Sequence, residues 1–147
     1  MKGEVQMGFI LKVDGPNPVD LGIDHILTLS FDMDTPNDSN ARSTDMNSTL
    51  LITGKILTAL DGAAADSSIN LAKWSKIPAE DMTAYRNLEI EVINASQVVR
   101  KFTFPHAFVV DYTEDFGSDE GVGTFTLKVR QKKDKTDLVG IEGGWSM

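Results

Sequence analysis

From Val99 to Tyr112 the chain alternates, placing Phe102, Phe104, Phe108, Val110 and Tyr112 on one side at period two. After the acidic stretch Glu114-Asp115-Phe116-Gly117-Ser118-Asp119-Glu120-Gly121, the run from Gly123 to Lys133 does the same with Phe125, Leu127 and Val129. Two such runs around a Gly-bearing turn predict a long β-hairpin, and the eight named side chains are expected to form one contiguous core.

The rest of the chain reads the same way. Met7, Phe9, Leu11 and Val13 alternate up to the turn signal Asp14-Gly15-Pro16-Asn17-Pro18. A second strand carries His25, Leu27, Leu29, Phe31 and Met33 on one face, and Ser48 to Ala59 carries Leu50, Ile52 and Ile56 opposite Leu51, Thr53, Lys55 and Leu57. The latter is apolar on both faces, as a central strand would be. Tyr85 to Ala95 sets Leu88, Ile90 and Val92 against Glu89 and Glu91. Only around Leu71, Trp74 and Ile77 does the period lengthen to three, behind a serine cap and before Pro78, which predicts a short helix packed through Trp74. About seven or eight strands, turn-separated and without internal repeat, imply a mainly β domain, a tightly wound barrel or sandwich. Between Asp34 and Asn47 lies a polar run rich in Asn, Asp and Ser, long for a loop in so small a domain.

Composition narrows the field. With 147 residues there is room for one domain with a real core, so residues 1–147 are taken as one unit. A net charge of -8 argues against nucleic acid as the main partner. The absence of cysteine removes disulfides, thiolate nucleophiles and Cys-ligated metals. No apolar stretch is long enough to span a bilayer as a helix. The start, Met1-Lys2-Gly3-Glu4-Val5-Gln6-Met7, lacks the features of a signal peptide, and a cytoplasmic location without membrane insertion is expected.

Catalytic chemistry is not apparent. His25 and His106 fall within predicted strands with no nucleophile or zinc signature around them, so neither is given a role, and no catalytic, cofactor or metal residue is expected. Asp111, Glu114, Asp115, Asp119 and Glu120 read as a solvated hairpin tip rather than a cation site. Lys128, Arg130 and Lys132 share one face of the last long strand, a basic stripe that suits an acidic patch on a second copy of the chain.

Taken in order, the turn Val13-Asp14-Gly15, the strand Ile26 to Asp32, the long loop before Ser48, the helix with Leu71, Lys73 and Trp74, the strand Leu88 to Ile93, the hairpin around Phe104 to Glu114 and the closing Trp145 resemble the haemolysin-coregulated protein (Hcp) tube family of type VI secretion systems and the tail-tube proteins of contractile phages. That resemblance implies a small β-barrel flanked by a helix, assembled as a ring, usually hexameric, whose rings stack into the inner tube of a contractile injection apparatus. It implies partners too: other copies of the chain, then sheath, baseplate or effector proteins, with export as part of the tube. The 34–47 loop would be an arm on a neighbouring subunit, and Asp34, Asp38, Arg42, Asp45, Glu114, Asp115, Lys128, Arg130 and Lys132 would lie at subunit interfaces. The alternative is a β-barrel ligand-binding module with a concave pocket at Trp74 or Trp145. A hydrolase with an unrecognised site is the weakest reading.

Overall fold

The structure is a computed structural model that describes residues 7–34, 47–57, 67–118, 121–131 and 139–146. It is mainly β, with strands β1 (Met7–Val13), β2 (Val19–Leu21), β3 (Ile26–Asp34), β4 (Asn47–Ile56), β5 (Arg86–Asn94), β6 (Gln97–Asp115), β7 (Gly123–Gln131), β8 (Gly140–Glu142) and β9 (Trp145–Ser146). One α-helix, α1 (Ile69–Ser75), and a 3-10 turn (Met82–Ala84) lie between β4 and β5. Seven strands form an antiparallel path β2-β1-β5-β6-β7-β4-β3, and β8 and β9 pair with β6 off that path.

One face of this coiled sheet closes on itself. Leu11, Val13, Leu21, Leu50, Ile52, Leu88, Ile90, Phe104, Phe125, Leu127 and Val129 are buried there together, with Phe31 stacked on Phe102 at 4.6 Å between ring centroids. Helix α1 adds Leu71 and Trp74 to that core. The Trp74 indole donates to the Ala84 carbonyl at 2.8 Å. Ser67 holds the start of the helix to β2 by accepting from the Asp20 N–H and donating to its carbonyl, and the Asn70 amide donates to the Pro18 carbonyl. The expected serine cap is not made: Ser68 occupies that position in helical conformation without a side-chain cap bond, and neighbouring Ser67 anchors the segment instead.

The hairpin departs from strict alternation. β6 runs through 19 residues and, beyond an inserted residue between Val98 and Arg100 near its start, carries one extra residue between Phe104 and Ala107 and another between Val109 and Asp111. Each bulge reverses which face the following side chains meet. The bulge after Phe104 falls at Pro105-His106, where His106 takes φ of 58°. Ala107 and Val109 therefore turn inward, and the bulge after Val109 restores the phase so that Tyr112 packs on Phe125. Phe108 is only half-buried and Val110 is 37% exposed, so neither joins the core expected of them. A bulge between Ile26 and Thr28 similarly leaves Leu27 exposed while Ile26 is buried. His25 lies in the turn before β3 and His106 is exposed at its bulge, so neither histidine sits on an apolar strand face.

Candidate functional site: a four-stranded face with open edges

β3, β4, β7 and the second half of β6 form a sheet whose outer face is set by register. Across it run the rows Asp32-Thr49-Arg130-Phe108, Ser30-Leu51-Lys128 and Thr28-Thr53-Thr126-Thr113, with Lys55-Thr124-Asp115 at the end. Partners directly opposite in an antiparallel ladder share a face, so these side chains lie on one surface. It is polar. Thr28 and Thr53 hydroxyls bond to each other, and the Arg130 Nε donates to the Thr49 hydroxyl at 3.4 Å. Lys128 sits opposite Asp111 across the β6/β7 ladder.

The edges of this sheet matter more than its face. Among the described residues, no strand pairs with the outer edge of β3, which ends the path. The β5 ladder on β6 ends at Ala107, so among the described residues β7 is the one strand paired with β6 from Phe108 to Asp115. Among the described residues neither edge has a strand partner, although β1 runs close to β3 and Tyr112 is engaged; the two edges belong to one four-stranded sheet, one on each side. Bare edges of this length attract further strands, and monomeric proteins usually cover or blunt them.

Of the expected interface residues, Asp115, Lys128 and Arg130 share the outer face. Glu114 does not join them: it stands opposite Phe125 on the inner side and accepts the Tyr112 hydroxyl at 2.6 Å. Asp34 closes β3 opposite Asn47, and Asp38, Arg42, Asp45 and Lys132 lie outside the described residues. Sequence reading missed Asp32, Thr49 and Leu51, whose neighbours on the face are fixed only by strand order.

At the far end from the hairpin turn, Trp74, Ser75, Ile77, Ala84, Tyr85 and Phe108 surround a recess of about 140 Å³ with aromatic walls and polar backbone and hydroxyl surface between them. Tyr85 and Phe108 meet edge to face at 6.1 Å, and Arg86 lies over Trp74 with its carbon 5.5 Å from the ring centre. The Arg86 guanidinium is buried and donates to the Thr83 and Asn17 carbonyls. Burial pulls its pKa below the usual value, and nearby Asp14 partly restores it. Trp145, the other tryptophan, is on β9 at the surface. No group of His, Asp or Glu among the described residues is arranged to hold a metal, and no helix among them is long and apolar enough to cross a membrane.

No protein-family model matches this chain, and no curated protein does. Among solved structures it is similar to Hcp1 from Flavobacterium johnsoniae, with a TM-score of 0.52 and 17% identity over 92% of this chain and 96% of that one. The chain has the Hcp fold. A chain of the anti-feeding prophage (AFP) baseplate, a 6-fold symmetrised assembly, matches with a TM-score of 0.54 and 19% identity over 97% of both chains. The Hcp-like fold thus accounts for nearly the whole chain, and the four-stranded face is part of it.

Proposed function

We propose that this Hcp-like chain is a non-enzymatic structural protein that closes into stacked rings, hexameric in the reading given above, as the inner tube of a contractile injection apparatus such as a type VI secretion system. The observation that carries the proposal is the pair of bare edges on one sheet. The β3 edge of one copy can pair with the β6 edge of the next, and a head-to-tail contact repeated under rotation closes a ring. Such pairing supplies a strand partner to edges that have none among the described residues of one copy. Likeness of fold to Hcp1 and to a chain of a 6-fold symmetrised baseplate supports the reading. The partners are then other copies first, with sheath, baseplate or effector proteins beyond them.

A ligand-binding module built on Trp74 would need a larger pocket, and the larger hollow of about 480 Å³ between Val13, Pro18, Val19 and Asn87 is lined by neither tryptophan. The recess at Trp74 holds about 140 Å³, whereas sites for small molecules usually run from roughly 300 to 1,000 Å³. One side chain fits it better than a free ligand does.

Light scattering and negative-stain microscopy at high protein concentration test the ring directly. Ser30 and Thr113 are exposed on the two opposed edges. A Ser30→Lys, Thr113→Lys double variant should keep its circular dichroism and run as a monomer, because like charges would face each other across every joint. Rings of unchanged mass would reject the edge-pairing model. Replacing residues 35–46 by a short Gly/Ser linker should likewise leave a folded monomer without rings, if the loop is the arm the family resemblance implies.

A further inference from the structure

Two features stand at opposite ends of the sheet. The first is Phe116, which follows directly after β6 and is 69% exposed. It is not a loose side chain. A Cβ on Gly123 would come within 2.5 Å of the Phe116 ring, so the ring rests on backbone that only glycine leaves open. Ile56, Leu57 and Val122 border the same spot and extend the apolar surface around it. An aromatic ring held in place and still presented to water is costly unless something covers it.

The second feature is the recess walled by Trp74, Ile77, Tyr85 and Phe108, sized for one side chain. Phe116 cannot fill the recess of its own copy. The β6/β7 ladder separates Phe108 from Phe116 by seven or eight residues, about 20–25 Å at the rise of a strand.

We infer that Phe116 of one copy seats in the Trp74/Phe108 recess of a second copy, making an end-to-end contact along the strand axis. Charge agrees with the fit. Asp115, on the outer face, immediately precedes Phe116, while Arg130 stands opposite Phe108 in the ladder and the buried Arg86 lies over Trp74. Lys76 and Glu80, next in sequence to the lining residues Ser75 and Ala79, offset each other, and the ionised Asp81, which accepts from Thr83, subtracts one charge from the cations on this side. An aromatic knob beside one carboxylate, Asp115, thus meets an aromatic socket beside one cation, Arg130. Knob and socket lie on different surfaces, so the contact is heterologous and repeats without limit unless it closes. In the tube reading, on which the term "ring" below depends, edge pairing joins copies around a ring and this contact joins one ring to the next.

The test uses two variants that spare the core. Phe116→Ala removes the knob, and Ala79→Trp fills the socket from an exposed rim position. Each variant alone should form rings of wild-type mass yet need at least about tenfold more protein to stack, the loss typical of a central aromatic anchor. Mixed together they should recover one good joint, from the Phe116 of the filled-socket variant into the open socket of the other, and give ring pairs of twice the mass. Wild-type stacking by either variant, or single rings only in the mixture, would overturn the inference. Failure of the ring reading is separately visible. The chain has no cysteine, so Gly117→Cys and Ala79→Cys copies can be mixed and oxidised. A cross-linked heterodimer without rings upholds the contact and rejects the tube, and no cross-link rejects the contact.

Discussion

The molecule has a closed half and an open half built around the same core. In the closed half most edges are held: β8 and β9 cover the first part of β6, Ser67 and Asn70 pin α1 to β2, which ends the path on this side, and the Trp74 indole reaches Ala84. Even its turn is fixed, with the Asp14 carboxylate accepting from the Asn87 backbone N–H and side-chain amide. The open half contributes equally buried side chains, Leu50, Ile52, Phe125 and Leu127, yet ends in bare strands. The two halves differ at their edges and not in their packing. Stability and assembly are therefore separable properties of this chain, and substitutions can address one without the other.

The largest expected effect lies where both halves share the core. Phe104 is fully buried against Phe31 and Leu88, so Phe104→Ala should cost about 3–5 kcal/mol in urea unfolding. Next comes Gly54→Ala in the open half, where a Cβ would lie 2.5 Å from the Phe125 ring and 2.6 Å from the His25 carbonyl. Overpacking of that kind costs about 1–3 kcal/mol. Phe108→Ala, four residues along the strand from Phe104 but half-buried on the other face, should cost only about 1 kcal/mol. Equal losses at Phe104 and Phe108 would erase the two-face description of β6.

The smallest effect belongs to Asp81 in the closed half. Its carboxylate accepts from the Thr83 backbone N–H and hydroxyl, and these bonds hold its pKa below the usual carboxylate value. A depressed folded pKa contributes stability that is present above the unfolded pKa and is lost as pH falls through the folded one. Thermal melts of wild type and Asp81→Ala should differ slightly at neutral pH and converge in acid. A gap that persists below the carboxylate range would assign the effect to something other than this cap.

Periodicity made the strands legible because alternate burial is a local property, and it placed Leu50, Ile52, Leu88, Ile90, Phe125, Leu127 and Val129 correctly inside. It also located the Trp74 helix. It failed at Phe108 and Val110 because strict alternation assumes that no residue is inserted. Pro105 within an otherwise regular strand was the available sign of a bulge, since proline cannot donate to the ladder. The bulge at Val110 carries no such mark. Glu114 and Asp115 read as one acidic tip until the register showed that they face opposite ways. Open edges lay beyond sequence reading altogether, because a strand's place at an edge follows from the order of all the others.

β6 has a further consequence as a mechanical element. One uninterrupted strand of 19 residues pairs first with β5, β8 and β9 and then with β7, so it enters both halves. Its ladder bonds lie across the strand direction. A push or pull along the strand loads many of them together in shear, while a sideways tug would open them one after another. A body of this kind is stiff along one direction and peels along another.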